Sequence, residues 1–309
     1  METLLVTHPA CLDHETPPGH PECSDRLRAV LNALEAEEFA LLQRVNAPEA
    51  TIEQLERAHP AIHVETILNG APLEGFRRID ADTSMSPGSA EAALRAAGAV
   101  TYAVDEVMAG RARNAFCAIR PPGHHAEPDR AMGFCLFNNV AVGALHARDA
   151  HGLKRIAVVD FDVHHGNGTQ ASFEADPNLF YASTHQWPLY PGTGSAGEHG
   201  LGNIMNRCLP PGSGSAEFRE AFTGAILPAL SQFGPVFIFI SAGFDGHAAD
   251  PLANLRLTED DYGWVTTELV KLANLHCDGR VVSTLEGGYD LAALAASARA
   301  HVRALQLAA

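Results

Sequence analysis

The residues that could do chemistry in this 309-residue chain fall in a few short polar clusters. Asp162 and His164 stand two apart, a carboxylate and an imidazole. If a strand continues through them, both side chains point to one side and can grip one ion. Asp245, which closes the run Ser-Ala-Gly-Phe-Asp, adds a third ligand and completes an O,N,O set. Three protein ligands leave room for a water and a substrate carbonyl, as a catalytic site requires. Oxygen and imidazole donors without thiolate suit Zn²⁺, and Fe²⁺ or Co²⁺ fit the same set. Cys117 and Cys135 are not needed as ligands and read as buried thiols. An Asp-x-His pair alone is a weak pattern, equally at home in a surface loop or a helix cap. Its weight comes from its company.

That company begins with His124 and His125, held by Pro121, Pro122 and Gly123. Hydrolysis at a metal needs a base that takes a proton from water and later returns it to the leaving amine. An imidazole titrating near neutrality suits both tasks. Asp160 could accept a hydrogen bond from one imidazole, and Asn167 from the other without adding charge. Tyr289 follows Gly287 and Gly288, which let the backbone bring a phenol to the metal, where its O–H can steady an oxyanion.

Something must bring these clusters together. Short apolar runs at Leu4 to Val6, Ala115 to Ile119, Arg155 to Val159, Leu179 to Ala182, Val236 to Ile240 and Arg280 to Thr284 read as buried parallel strands. Amphipathic helices are expected from Ser24, from Ser89 to about Met108, after Thr258 with Asp261 as its capping partner, and after Asp290. Strands alternating with helices predict an α/β fold, an open parallel sheet covered on both faces. The polar clusters follow four of those strands, and open parallel sheets bind ligands beyond the carboxyl ends of their strands. No repeat, low-complexity tract or long linker divides the chain, so residues 1–309 read as one catalytic domain.

The balance of 37 acidic against 21 basic residues gives a formal net charge of −16. A field of that sign disfavours nucleic acid and anionic membranes, and would attract cationic substrates such as lysine-rich tails or polyamines. Six scattered cysteines without a C-x-x-C pair suggest reduced thiols. The N-terminus lacks the pattern of a signal peptide, and no run approaches a membrane span. A soluble, cytoplasmic protein is expected, with homo-oligomerisation left open.

Taken together, RPPGHHAEP with GFCLFNN, DFDVHHGNGTQ, SAGFDGHAADPL and LEGGYD resemble the histone deacetylase family, in the family's order, from Asp80 to Asp290. Gly19-His20-Pro21-Glu22 with Arg26 resembles the family's opening motif. The resemblance implies an arginase-like open α/β fold and one catalytic zinc. It implies zinc ligation by Asp162, His164 and Asp245, general base and acid chemistry at His125, charge stabilisation by His124 bonded to Asp160, and a catalytic Tyr289. Gly133 and Phe134 match one wall of an acyl-lysine tunnel and Tyr190 the opposite wall, where phenylalanine is more usual. Asp80 or Asp82 marks a rim that holds substrate backbone. A potassium ion is implied too, around Asp160, Asp162, His164, Ser183 and Thr184.

Two departures stand out. Asn167 occupies a place where class I members carry aspartate, which points to the class II and bacterial amidohydrolase branch and to a less basic His125. Leu252 stands where polyamine-selective members place a glutamate, which argues against a dedicated acetylpolyamine enzyme.

The leading expectation is therefore hydrolysis of an N-acyl amine, foremost the ε-N-acetyl group of lysine. An acetylpolyamine or long-acyl deacylase is the second. A binuclear ureohydrolase would favour a third carboxylate two residues past His164, where Gly166 stands. A non-catalytic acyl-lysine reader would lack the tyrosine or the histidine pair. His185 and His199 flank the loop around Tyr190 and are candidates for its mouth, and His20 for a structural place near the rim.

Overall fold

The computed structural model describes residues 2–307; Met1, Ala308 and Ala309, the outermost residues of the expected domain, lie outside the described residues. Ten strands form, β1 (Leu4–Thr7), β2 (Gln43–Asn46), β3 (Arg77–Arg78), β4 (Ser84–Met85), β5 (Asn114–Cys117), β6 (Ile156–Asp160), β7 (Leu179–Gln186), β8 (Ile204–Leu209), β9 (Phe237–Ala242) and β10 (Val281–Leu285). The α-helices are α1 (Ser24–Ala33), α2 (Ile52–Glu56), α3 (Ala61–Leu68), α4 (Ser89–Met108), α5 (Asn139–His151), α6 (Asn167–Phe173), α7 (Ser215–Ala221), α8 (Leu227–Phe233), α9 (Glu259–His276) and α10 (Leu291–Leu307). Eight strands make one sheet in the order β2-β1-β5-β10-β9-β6-β7-β8, every pairing parallel.

The central strands are buried from end to end, which is why they read as continuous apolar runs. Register shows that both faces are covered. Phe239 of β9 pairs with Val282 of β10, and Ile240 with Ser283, so Phe239 and Ser283 face opposite ways. On the Phe239 side, α5 approaches so closely that a Cβ at Gly143 would press on Val100 of α4 and on the Phe239 ring. On the Ser283 side lies α10, whose His301 hydrogen bonds Ser283 Oγ at 2.8 Å and Thr266 Oγ1 of α9 at 2.6 Å.

All six expected strands form, with ends shifted by a residue or two, except that β7 runs on to Gln186. Its last residues, Ser-Thr-His-Gln, are polar yet buried. The edge strands β2 and β8 were not anticipated. Gln-Arg-Val-Asn is polar and mostly exposed, and β8 alternates buried with more open positions, because an edge strand has only one partner to bury against. The four helix starts read from sequence all form. Asp261 takes the Thr258 N–H at 3.1 Å, and Asp290 takes that of Ala293 at 2.8 Å. Among the described residues no helix is long and apolar enough to cross a membrane.

His301 is fully buried, and burial lowers its pKa to about 3. Its folded pKa lies below the unfolded value near 6.5, so the neutral ring's contribution is complete above pH 6.5 and declines as pH falls toward 3. His301→Gln is expected to lower the melting temperature at pH 7.5. The gap to the parent should shrink by up to about 2 kcal/mol at pH 5, as followed by thermal and urea unfolding at both values.

Candidate active site

The four strands that precede the polar clusters, β5, β10, β9 and β6, are neighbours in the sheet. Their clusters therefore open side by side at its carboxyl edge. One expectation about the local backbone fails. The strand does not continue through Asp162 and His164, because the β6 ladder ends at Asp160. Side chains take over there. Asp160 Oδ1 accepts the N–H of Asp162 at 3.1 Å, and Asp162 Oδ1 accepts that of His164 at 2.8 Å. Two successive aspartate turns of this kind curl the chain out of the extended form while still aiming Asp162 and His164 inward.

Asp162, His164 and Asp245 converge as expected, with one ligand atom from each within 4.8 Å of the others and all three buried. His164 Nδ1 lies 3.1 Å from both Asp162 Oδ1 and Asp245 Oδ2. The remaining oxygens are fixed by backbone. Gly287 N–H donates to Asp162 Oδ2 and Val163 N–H to Asp245 Oδ1, each at 2.8 Å. No lysine or arginine side chain among the described residues pairs with either carboxylate; histidines are their only ion-pair partners. Burial, then the charge of Asp162, pushes Asp245 up to about 7, while Asp162 is held low by His124 and His164 against its own burial. Two buried carboxylates and an imidazole form a donor set with an unmet demand for positive charge, and a divalent ion fits it.

Beside it the two adjacent histidines are driven apart. His124 Nδ1 donates to Asp160 Oδ2 at 2.9 Å. Burial opposes its charge, but Asp160 and Asp162 outweigh burial and hold its pKa well above the ordinary value. His125 Nδ1 donates to Asn167 Oδ1 at 2.8 Å. Burial, with the positive charges of His124 and His164, holds its pKa well below the ordinary value. Asn167 is not an isolated neutral partner. Its Nδ2 donates to Glu127 Oε1 at 2.7 Å, so a carboxylate stands one hydrogen bond behind.

A cavity of about 250 Å³ leads to these groups. His125, His164 and Tyr289 line it together with Gly133, Phe134, Tyr190, Asp82 and Leu252, so every expected substrate residue borders it. Leu189 joins them without having been foreseen. Phe134 meets Tyr289 edge-on at 5.9 Å between ring centres, and Tyr190 meets His125 at 5.2 Å. The rim is braced by Asp80, whose Oδ1 accepts the N–H of Asp82 and of Thr83, and Thr83 Oγ1 accepts that of Phe134. His20 supports it, within 3.0 Å of the Asp82 carbonyl. His185 and His199 do not line the mouth. His185 is buried beside Ser183 and the Gly194 carbonyl, and His199 is exposed elsewhere.

Several working residues had no assigned role in the sequence. Glu286 accepts the N–H groups of Gly123 and His124 at 2.7 and 3.2 Å and the Ser241 hydroxyl at 3.0 Å, tying three of the four strand ends together. Tyr181 donates to Asp160 Oδ2 at 3.1 Å. Arg26 spans 262 residues of chain to donate to the Gly288 carbonyl at 2.6 Å, and it lies 4.8 Å over the Tyr289 ring. Glu22 holds Arg26 at 2.9 Å and Arg120 through two nitrogens. The opening motif and the Leu-Glu-Gly-Gly-Tyr motif were legible, but which atoms they join was not. Thr184 Oγ1 is buried without a hydrogen-bond partner, one residue beyond Ser183, which pairs in register with Asp160.

An open parallel sheet with a histidine pair, a phenol and a buried oxygen and nitrogen donor set at its carboxyl edge matches the arginase-like α/β fold. The profile of the histone deacetylase domain matches residues 20–305, and the chain belongs to the histone deacetylase family. Histone deacetylase 14, chloroplastic, of Arabidopsis thaliana is 41% identical over 98% of this chain and 76% of that protein. The histone deacetylase-like amidohydrolase of Pseudomonas aeruginosa is 41% identical over 88% of this chain and 73% of its own length. The crystal structure of the HDA15 HD domain superposes with a TM-score of 0.92 at 38% identity, covering 99% of this chain and 88% of that one.

Gly133 sits at φ +56°, and a Cβ there would strike the His125 ring; Gly152, at φ +67°, has open space around it. Gly152→Ala is expected to cost about 1–2 kcal/mol, the strain of a left-handed residue alone. Gly133→Ala should cost more than that in urea unfolding, since the His125 ring must also move.

Proposed function

We propose that this chain hydrolyses the amide of an N-acylated amine, foremost ε-N-acetyl-lysine, with one zinc held by Asp162, His164 Nδ1 and Asp245. The observation that carries this reading is the split between His124 and His125 beside that donor set. Adjacent rings, one held charged and one held neutral, are what a proton-transfer site needs. Membership of a deacetylase and amidohydrolase family supports the same chemistry.

Zinc at this place would supply Lewis acidity toward the amide carbonyl and toward a water. His125 is neutral and keeps its free Nε2 toward the cavity, so it takes the water's proton and later delivers it to the departing amine. Asn167 fixes the tautomer by accepting from Nδ1, with Glu127 holding the amide in that orientation. His124 keeps its proton, and its charge offsets the negative charge that develops. The Tyr289 backbone N–H donates to Asp250 Oδ2 at 2.7 Å, its phenol hydrogen bonds none of the described residues, and burial holds its pKa well above the ordinary phenol value. It therefore stays protonated and donates to the oxyanion. Phe134 and Tyr190 clasp the apolar stem of the substrate, and Asp82 accepts from its backbone at the rim. The net charge of −16 favours a cationic partner. The unpartnered Thr184 hydroxyl supports a potassium ion beside the same loop.

Steady-state kinetics on an acetyl-lysine peptide test the reading. Tyr289→Phe should lower kcat by about 10²–10³-fold with KM little changed, and His125→Ala by about 10²–10⁴-fold. Full activity in either variant would overturn the assignment. Dialysis against a chelator should abolish turnover, with one equivalent of zinc restoring it. Comparing kcat/KM for acetyl-lysine peptide, acetylputrescine and octanoyl-lysine ranks the substrates. Asp82→Asn should raise KM for the peptide while leaving that for a small acetylamine unchanged.

A further inference from the structure

Away from the cavity, helices α4 and α5 bring a second set of ligand-type side chains together. His146 Nε2 lies 2.8 Å and His151 Nε2 2.7 Å from the same atom, Asp105 Oδ1. The two rings stand at 84° with centres 5.8 Å apart. Asp105 Oδ2 takes no hydrogen bond from the described residues. Both imidazoles are thus aimed at one oxygen. One ligand atom from each of the three residues lies within 4.8 Å of the others, a bound that Asp162, His164 and Asp245 also meet.

We propose that Asp105, His146 and His151 form a second metal site, for a borderline divalent ion such as Zn²⁺, Ni²⁺ or Cu²⁺. Two imidazoles and one carboxylate suit these ions and suit Mg²⁺ or Ca²⁺ poorly. The side chains of Asp105, His151 and His146 are 43%, 25% and 7% exposed. An ion can thus enter from solvent, and water completes its coordination.

Arg57 sets the condition for loading. Its Nη1 donates to His146 Nδ1 at 2.7 Å. A guanidinium can only donate, so this contact places the ring proton on Nε2, toward Asp105. An ion at Nε2 requires that proton on Nδ1 instead, and Arg57 must then withdraw. It has carboxylates to withdraw to, since it already contacts Glu53 at 2.9 Å and Asp149 at 3.8 Å. Arg57 therefore competes with the metal.

The test is a calorimetric titration of zinc chloride into the full chain already loaded with one equivalent of zinc. One further equivalent is expected. Asp105→Asn and His151→Ala should each weaken it at least tenfold, and Arg57→Ala should tighten it at least threefold. Unchanged melting temperatures of the metal-free variants report that the fold is kept. Should a variant fail to fold, Cu²⁺ electron paramagnetic resonance on the unmodified, zinc-loaded chain decides the matter. Hyperfine splitting from two nitrogens supports the site; splitting from one or none overturns it. The absence of a further equivalent, or an equally tight one in the Asp105→Asn/His151→Ala double variant, also overturns it.

Discussion

Two carboxylates and an imidazole are buried together at the carboxyl edge of the sheet, where no lysine or arginine side chain among the described residues pairs with them. Burying charge is costly unless it is paired and hydrogen bonded. The surrounding chain is organised around that cost. Backbone N–H groups of Val163, His164 and Gly287 saturate oxygens on the two aspartates and fix their positions. A divalent cation fits the arrangement. That demand explains why loops from three different strands are drawn to one point, and why the β6 ladder gives way to aspartate turns where it does.

The same field sorts the histidine pair. His124 and His125 are consecutive and equally buried, so composition cannot tell them apart. Their partners can. His124 faces Asp160 and Asp162 and is held charged, whereas His125 is held neutral by its burial and by the charge of His124 beside it. Each stabilises the other's state, because a charged His124 depresses the pKa of His125. Glu127 tempers this only indirectly, since its carboxylate reaches His125 through the Asn167 amide.

Much of this was legible in the sequence because the central strands are apolar and the chemistry sits directly after them. Six buried strands, four helix starts and the three metal-type ligands follow from local patterns, whereas the cavity residues were implied by the family resemblance. The edge strands β2 and β8 were not legible, since half-exposed strands carry no continuous apolar run. The backbone through Asp162 and His164 cannot be told from strand by spacing, because alternation and aspartate turns both place i and i+2 side chains together. The roles of Glu286, Tyr181 and Arg26 were hidden for another reason. Each acts on backbone or side chains far away in the chain, and no local window contains both partners. Leu189 likewise gains its place from how its loop folds back on the cavity.

The clamp from Arg26 to Gly288 has a consequence for how the molecule comes into being. The guanidinium that grips the tyrosine loop lies on the first α-helix, and the carbonyls it grips follow the last strand of the sheet. During synthesis the ribosome delivers Arg26 and Glu22 long before residues 286 to 289 exist. Because β10 lies between β5 and β9, the histidine loop and the two ligand loops cannot be set side by side until that late strand is made. The clamp therefore closes only when nearly the whole polypeptide has been made, with α10 alone still to follow it.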